Sequence, residues 1–424
     1  MAKKSVLIIG NLAREHALGW KLKQSSKVGK IYFAPGNVGT GFIGKNTGID
    51  ALDIKSLIQF AKTHDIYLTV AGPDNALAAG VVDAFKKEKM KIFGPTKDAA
   101  QIESSKVFSK QLMKEEGIPT ATFKKFTDTS KAKKYVLKQS LPIVIKASGL
   151  ALGKGVVIAK TMDEAANIID DILVKKVFGN AGDEIIIEEF LEGKEISIHA
   201  FCDGKTVSLF PVGRDHKAIF EGNRGPNTGG MGTLAPVPGF DTAFLEEIKR
   251  TIVLPALNGM KKKGIIFTGC LYPGLILTKH GPKVLEFNSR FGDPEMESYM
   301  RILETDIFDI LEACADGTLS QLEIKWKKQT ACCIVLASDG YPGAYKKGEI
   351  INGLEKYDGK NNIVVFHFGT KIENETIVTN GGRVLGITAT GKTLDETLDK
   401  AYSAIGPHGI HFTGMQYRKD IGRV

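Results

Sequence analysis

Short apolar runs and segments with apolar residues at helical spacing alternate along the first hundred residues. The runs 5–9, 30–34, 67–71 and 90–93 predict buried strands, and glycine or proline follows each of them. Helical spacing predicts helices over 12–24, 56–63 and 76–87. Strands that alternate with helices indicate a parallel sheet covered by helices, with ligands bound at the carboxyl ends of the strands.

The rest of the chain is predicted to be mixed α/β and α+β. A helix over 104–116 leads into Gly117-Ile118-Pro119-Thr120, which is typical of a domain boundary. Strand patterns at 330–336, 363–368, 376–378 and 384–389, with a helix over 393–404, indicate a small α+β domain at the end. We therefore predict domains over 1–103, 104–325 and 326–424, with a separate subdomain at about 120–191.

Length and composition support a multidomain globular protein. The 424 residues correspond to roughly three domains of ~150 residues each. The formal net charge of +9 favours an anionic partner, but the basic residues are scattered and no aromatic platform accompanies them, so nucleic-acid binding is disfavoured. Five cysteines without a CxxC motif predict neither a disulfide framework nor a zinc site. No apolar run approaches the ~18 residues of a membrane span, so we expect a soluble, cytoplasmic protein.

The first strand ends at Gly10-Asn11, where a dinucleotide-binding fingerprint would begin. That fingerprint requires two further glycines, and Leu12 and Ala13 follow instead. NAD binding is therefore not expected. A single anionic group at the start of the following helix remains possible.

A glycine-rich segment after an apolar strand gives the best nucleotide signal. The strand 142–146 ends in Lys146, and Gly149, Gly153, Lys154 and Gly155 follow. Backbone N–H groups of such a loop can bind phosphate oxygens, and Lys146 adds a positive charge. The spacing differs from the P-loop motif, and an ordinary hairpin with solvated lysines is an equally good interpretation.

Two carboxylate-bearing segments follow. The apolar strand 184–188 leads into a charged hinge, and Glu195 beyond it could accept hydrogen bonds from ribose hydroxyls. Glu286 and Asn288 lie on one face of a strand because side chains alternate along it. Two hard oxygen donors side by side suit Mg2+, and Arg290 just beyond can bind a carboxylate or phosphate. Solvated turns and strand faces are the simpler alternatives.

Two further segments indicate anion binding. Asp215-His216-Lys217 places three polar groups after a strand, and the loop 225–232 contains four glycines with exposed N–H donors. No Ser-His-Asp or Cys-His arrangement indicates nucleophilic catalysis.

Together these segments resemble the ATP-grasp superfamily, and within it the phosphoribosylamine–glycine ligase (glycinamide ribonucleotide synthetase) family. The matching stretches run in the expected order from one end of the chain to the other: 14–17, 34–37, 93–96, 146–155, 188–193, 215–217, 225–232, 286–295, 340–343 and 414–422. The glycine loop 225–232 combined with Arg290-Phe-Gly-Asp-Pro-Glu295 is the specific part of this resemblance.

The resemblance implies an ATP-grasp fold with an N-terminal Rossmann-like domain, a mobile lid and a C-terminal α+β domain. It implies an ATP-dependent ligase of purine biosynthesis that phosphorylates the carboxylate of glycine and transfers the glycyl group to 5-phosphoribosylamine. The resemblance implies that Glu286 and Asn288 bind Mg2+ (or Mn2+). The residues that it implies for nucleotide binding are Lys106, Lys146, Gly149, Gly153, Lys154, Gly155, Glu188, Glu189, Leu191 and Glu195. The glycine and phosphoribosylamine site comprises Gly10, Asn11, Asp215, Lys217, Asn227, Thr228, Gly229, Arg290, Gly292 and Asp293, with Asp215, Lys217 and Arg290 as the catalytic residues. No partner beyond these small molecules is implied, and we expect a monomer.

The chain departs from the family pattern at a few positions. Leu12 and Ala13 replace two glycines, Asp74 replaces a glutamate, and Ser148 replaces an aspartate. The change at Leu12 and Ala13 motivates one alternative, a sibling ligase for another acid or ribosyl amine. A second alternative is a catalytically inactive nucleotide-binding or scaffold protein, which the intact Lys146, Glu286 and Asn288 disfavour.

Overall fold

The computed structural model describes residues 3–151, 155–357 and 362–423. An all-parallel sheet forms the N-terminal part, as predicted. Its strands, in spatial order, are Lys45–Asn46, Val28–Pro35, Lys4–Gly10, Ile66–Ala71 and Ile92–Phe93. Its helices are Ala13–Leu22, Val38–Ile43, Ile54–Thr63, Asp74–Ala79, Val81–Lys87 and Lys97–Ser104. The strand order reverses beside Lys4–Gly10, so a crevice opens at the carboxyl end of this strand.

A small antiparallel sheet follows within the predicted subdomain. Its strands, in spatial order, are Phe123–Phe126, Ile185–Glu189, Ile143–Ala147 and Val156–Ala159. The helices Thr129–Val136 and Met162–Ile169 pack on it through a separate apolar cluster that includes Val136, Ile145 and Ile169. Because this subdomain has a core of its own, it has the construction expected of a lid.

The central sheet carries the predicted metal-binding strand. Strand Thr268–Thr278 pairs with Gly281–Asn288, Lys194–Ser197 and Ala200–Asp203, and Val207–Leu209 completes the sheet. The helices around it are Lys106–Glu115, Thr242–Ile248, Leu254–Lys262 and Ile307–Asp316. Helix Glu295–Ile302 packs between helix Ala13–Leu22 and the strand Thr330–Ser338. Glu286 and Asn288 lie on strand Gly281–Asn288 and line the cavity between this sheet and the antiparallel sheet of the subdomain.

The C-terminal sheet crosses the predicted boundary at 325. Strand Arg214–Asp215 pairs with Gly232–Ala235, and Gly232–Ala235 pairs with Thr330–Ser338. Arg383–Gly391 follows beside Thr330–Ser338, and Ile363–His367 follows beside Arg383–Gly391. Met415–Gln416 also pairs with Thr330–Ser338, and helix Leu394–Ser403 covers one face. Two hairpins, Ala218–Phe220 with Arg224–Asn227 and Thr370–Glu373 with Thr376–Thr379, stand outside the sheet. The C-terminal domain therefore holds the strands on either side of the glycine loop.

Two helix predictions were wrong in their extent. The helix expected over 76–87 is broken at Gly80, whose φ of 90° lies in the left-handed region that favours glycine. The helix expected over 104–116 begins at Lys106, because Ser105 is extended and its hydroxyl caps the Phe108 N–H at 3.2 Å. Among the described residues, no helix is both long and apolar enough to cross a bilayer.

Candidate active site

A cavity of about 580 Å3 lies between the lid sheet, the central sheet and the glycine loop. Most of the predicted site residues line it: Lys106, Lys146, Gly155, Glu188, Glu189, Leu191, Glu195, Asp215, Lys217, Asn227, Thr228, Gly229, Glu286, Asn288, Arg290 and Asp293. These residues come from segments almost 190 positions apart, so folding is what brings them into one pocket.

Four predicted residues lie outside the cavity lining. Gly149 is beside it, since its carbonyl accepts a 3.4 Å hydrogen bond from Lys106 Nζ. Gly292 lies behind it, where its N–H donates to His199 Nε2 at 3.1 Å. Gly10 ends the first strand of the N-terminal sheet, Asn11 follows it, and neither lines the cavity. The predictions at Gly153 and Lys154 lie outside the described residues.

Buried lysines surround one carboxylate at the lid side of the cavity. The Glu188 oxygens lie 3.0 Å from Lys146 Nζ and 3.1 Å from Lys110 Nζ. Lys146 also donates to the Leu285 carbonyl at 3.1 Å, and this contact ties the lid sheet to the metal-binding strand. Burial lowers the pKa of Lys110 to about 8 and also lowers the pKa of Lys106, despite nearby carboxylates. This part of the cavity therefore has an excess of positive charge for phosphate.

Lys110 was missed by sequence reasoning. It lies one helical turn after Lys106 on the helix Lys106–Glu115, so both side chains project from one face. Its ammonium also donates to Thr120 Oγ1 at 2.6 Å. The i, i+4 spacing of the two lysines was the available signal, but solvated lysines at that spacing are too common on helices to be decisive.

The residues of strand Gly281–Asn288 fit a hard divalent cation. Burial disfavours the charged form of Glu286, but Lys217, Lys106 and Lys146 outweigh this and lower its pKa. The carboxylate is thus ionised, and the described residues donate no hydrogen bond to it. Asn288 is buried, and its Oδ1 accepts from Arg290 Nη2 at 3.3 Å. Together they offer two neighbouring oxygen ligands, which leaves positions for phosphate oxygens and water.

Arg290 is held by an acid that the sequence did not reveal. Its Nε lies 3.1 Å from Glu103 Oε1, and Glu103 also accepts from the Ser289 N–H at 2.8 Å. Burial disfavours the charged guanidinium, but Glu103 and Asp74 outweigh it and raise the pKa of Arg290. Asp74 lines the same cavity, so the shorter acid at this position still contributes to the site.

Asp215 and Lys217 both line the cavity near the glycine loop. Asp215 Oδ1 is buried and has no hydrogen-bond partner among the described residues. Burial, together with the negative charge of Glu295, raises the pKa of Asp215 well above its usual range. Burial disfavours the charged form of Lys217. The negative charge of Glu195, which lies 3.4 Å away, and the charges of other nearby acids outweigh this effect and raise the pKa of Lys217. The unpaired Asp215 oxygen is therefore available to accept a proton or a hydrogen bond from a ligand.

A buried polar network supports this wall from behind. Glu295 Oε1 accepts from Tyr272 Oη at 2.6 Å and from Ser197 Oγ at 2.9 Å. The His199 ring stacks on Tyr272 with centroids 4.1 Å apart. Tyr272 lines the cavity and was not predicted, because no local motif surrounds it in the sequence.

The glycine loop is held by the C-terminal domain. Thr228 donates from both its N–H and its hydroxyl to the Lys217 carbonyl, at 2.8 and 2.7 Å. Arg383 Nη1 donates to the Gly229 carbonyl at 2.7 Å and lies 3.0 Å from Asp293 Oδ1. Arg383 thereby joins the loop to the Asp293 segment, although it follows Asp293 by 90 positions in the sequence.

The Arg14-Glu15-His16 segment braces the domains and does not enter the cavity. Arg14 Nε lies 2.6 Å from Glu15 Oε1, and Arg14 Nη1 donates to the Phe291 carbonyl at 3.2 Å. His16 Nδ1 accepts from the His367 N–H at 3.1 Å. The Leu12 N–H donates to Glu15 Oε2 at 2.9 Å, so the two replaced glycines leave this brace intact.

Comparison with known proteins gives the same family along the whole chain. Family models described as the N domain, the ATP-grasp (A) domain and the C domain of phosphoribosylglycinamide synthetase match residues 4–103, 104–296 and 331–424. The phosphoribosylamine–glycine ligase of Caldanaerobacter subterraneus subsp. tengcongensis is 47% identical over 416 residues, which cover 98% of this chain and 99% of that protein. The trifunctional purine biosynthetic protein adenosine-3 of Gallus gallus is 45% identical over 98% of this chain and 42% of its own length.

Solved structures agree. The crystal structure of phosphoribosylamine–glycine ligase from Thermotoga maritima has a TM-score of 0.85 at 32% identity and covers 98% of this chain and 100% of that one. A biotin carboxylase domain from Hydrogenobacter thermophilus, solved with MgADP, has a TM-score of 0.74 at 16% identity over 98% of this chain and 92% of that one, and shows the shared fold. The predicted ATP-grasp fold is confirmed, and the chain belongs to the phosphoribosylglycinamide synthetase family.

Proposed function

We propose that this chain joins glycine to 5-phosphoribosylamine at the expense of ATP, and that the reaction takes place in the cavity between the lid and the central sheet. The family, an ATP-dependent ligase family of purine biosynthesis, is established by its relatives. The observation that carries the assignment of the site is the cavity itself, where a lysine-rich lid side faces an ionised Glu286 and an unpaired Asp215. The division into domains 1–103, 104–325 and 326–424 belongs to the same proposal.

The nucleotide would bind between the lid and the strand Gly281–Asn288. Lys106, Lys110 and Lys146 supply positive charge to its phosphates, and the hinge from Glu188 to Glu195 borders the same space. Glu286 and Asn288 would hold Mg2+, which screens phosphate charge when bound; Mn2+ is the alternative ion. Because Lys146 contacts both Glu188 and the Leu285 carbonyl, phosphate binding would rearrange the junction between lid and central sheet.

The acid and the amine would meet beside Asp215, Lys217 and Arg290. Phosphorylation of the glycine carboxylate makes an acyl phosphate, and attack by the amine at the acyl carbon releases phosphate and forms the amide. Lys217 and Arg290 are cations placed to hold the negative oxygens in line. Asp215, whose pKa is raised by burial and by Glu295, would accept the proton that the attacking amine loses.

Exclusion of water is the lid's contribution. An acyl phosphate is hydrolysed when water reaches it, so closure of the lid over the cavity protects the intermediate. The sibling-ligase alternative rested on Leu12 and Ala13, and both lie away from the cavity lining. We further propose that the protein is a cytoplasmic monomer.

The test is substrate-dependent release of ADP by the purified chain with Mg2+. We expect ADP only when glycine and phosphoribosylamine are both present, with one amide formed for each ADP. Asp215→Asn should lower kcat by about 10²–10⁴-fold and remove an ionisation from the pH profile, while ATP binding persists. If another amino acid replaced glycine and glycine gave no turnover, the proposed reaction would be wrong.

A further inference from the structure

A second cleft, of about 660 Å3, lies away from the cavity. Residues from three parts of the fold line it: Trp20, Arg301, Glu304, Lys327, Lys328, Gln329, Asn362 and Thr390. None of them lines the active-site cavity. Arg301 and Glu295 belong to the same helix, Glu295–Ile302, so about 9 Å of helix separates the cleft from the cavity wall.

The cleft contains a buried guanidinium that has no acidic partner in the part of the chain that the structure describes. Arg301 is 7% exposed, and its hydrogen bonds go to Thr388 Oγ1 at 3.3 Å and to the Asn362 carbonyl at 2.6 Å. Its Cζ lies 5.3 Å from the centroid of the Trp20 ring. Within 3–151, 155–357 and 362–423, no carboxylate forms an ion pair with Arg301. A buried charge that is not neutralised is costly, so an anion bound here would stabilise the site.

More positive charge surrounds Arg301. Lys327 and Lys328 line the cleft, and neither forms an ion pair within the described part of the chain. Lys21 is 7% exposed, and its ammonium donates to the Leu303 carbonyl at 2.5 Å. Burial lowers the pKa of Lys21 to about 8, and repulsion from Lys327 and Arg301 acts in the same direction. Among the described residues of the lining, Glu304 is the single acid, so this described part of the cleft is electropositive.

We propose that this cleft binds a phosphate group, either inorganic phosphate or a phosphomonoester, at a site distinct from the active site. The planar guanidinium of Arg301 still has N–H donors to offer, and its fork matches the tetrahedral oxygens of phosphate. Lys327 and Lys328 are exposed enough to move onto such a ligand. The volume exceeds that of a phosphate ion, so the ester of a small sugar also fits.

Trp20 lines the cleft, so its fluorescence can report binding there. The chain contains two tryptophans, and Trp326→Phe leaves Trp20 alone. The fluorescence of Trp20 would be titrated with inorganic phosphate and, separately, with ribose 5-phosphate, with sodium chloride at matched ionic strength as the control. Equilibrium dialysis of labelled phosphate with the unaltered chain supplies a second measurement that does not depend on this variant.

Saturable binding should weaken about tenfold or more in the double variant Lys327→Ala/Lys328→Ala, as expected when charge-assisted contacts are lost. The matched control is Lys325→Ala, which removes a lysine of the same segment that pairs with Glu323 outside the cleft. Tighter binding of ribose 5-phosphate than of phosphate would identify an ester as the ligand, and weaker binding of ribose 5-phosphate would identify the inorganic ion. A Trp20 response that chloride reproduces, or a Trp20 titration with phosphate that is unchanged in the double variant, overturns the proposal.

Discussion

Arg383 is the residue through which the C-terminal domain is expected to act on catalysis. Its guanidinium donates to the Gly229 carbonyl at 2.7 Å and to the Asp293 carbonyl at 2.9 Å, and it forms a 3.0 Å ion pair with the Asp293 carboxylate. The side chain is 13% exposed and its partner 5%, so solvent screens the pair little. Arg383→Met keeps an unbranched apolar stem, lacks the guanidinium and removes all three contacts.

The size of the expected loss of activity follows from the buried Asp293 carboxylate that the substitution leaves unpaired. Loss of one partner of a buried ion pair costs about 3–5 kcal/mol, because the other charge stays buried. Here the glycine loop can relax, so we expect about 3 kcal/mol to appear in catalysis, which is about a 10²-fold loss of kcat/KM for glycine. The KM for ATP should change by less than about twofold, because Arg383 does not line the nucleotide side of the cavity.

The assay is steady-state ADP release with glycine varied, together with measurement of the amide product. A loosened loop should admit water, so ADP formed should exceed amide formed in Arg383→Met. Lys371→Met is the matched control, since Lys371 pairs with Glu373 on an outlying hairpin of the same domain. Circular dichroism at the assay temperature checks that the variant is folded. A folded Arg383→Met enzyme with wild-type kcat/KM and one amide per ADP would refute the reasoning.

Three further predictions concern the metal, the nucleotide and acid stability. Glu286→Gln should lower Mg2+-dependent turnover by about 10³-fold, and near-normal kcat would contradict the metal assignment. Lys146→Ala should weaken ATP binding by about 1.5–3 kcal/mol in calorimetry, and an unchanged Kd would count against its role. Burial lowers the pKa of His199 and of His367 to about 4, below the unfolded value of about 6.5, so the unfolded chain binds more protons between these pH values. The contribution of these histidines to the free energy of unfolding should therefore be fully present above about pH 6.5 and fall toward pH 4, by up to about 3 kcal/mol per histidine. Denaturant titrations of His199→Gln should lose part of this pH dependence, and an unchanged dependence would contradict the reasoning.

Local sequence patterns were enough to predict the strands and those functional residues that lie close to one another in the sequence. Glu286 and Asn288 share a face because they are two apart on a strand, and the structure places both in the cavity. Lys146 was found because it ends an apolar strand before a glycine-rich segment. The glycine break at Gly80 was not found, because a helical pattern continues across it and only the backbone conformation reveals the left-handed residue.

Side chains that act through distant partners were not predictable. Glu103 is recognised as functional only because Arg290 lies 3.1 Å from it, across almost 190 residues of chain. The role of Tyr272 is recognised from its hydrogen bond to Glu295, and the role of Arg383 from its hydrogen bond to the Gly229 carbonyl. Each of these three residues lies in a helix or strand whose local sequence is typical of that element. The neighbouring residues therefore do not indicate a function.

The sequence by itself determined the order of the elements, the parallel N-terminal sheet and the residue types available for phosphate and metal binding, because hydrophobic spacing and turn residues act over a few positions. Only the tertiary structure decided which charges meet. Lys110 and Lys146 share Glu188, Asp215 Oδ1 is left without a hydrogen-bond partner among the described residues, and Arg301 is buried without an ion pair to a described acid. These outcomes depend on distance and burial, since the strength of an electrostatic contact is set by the separation of the charges and by the solvent between them.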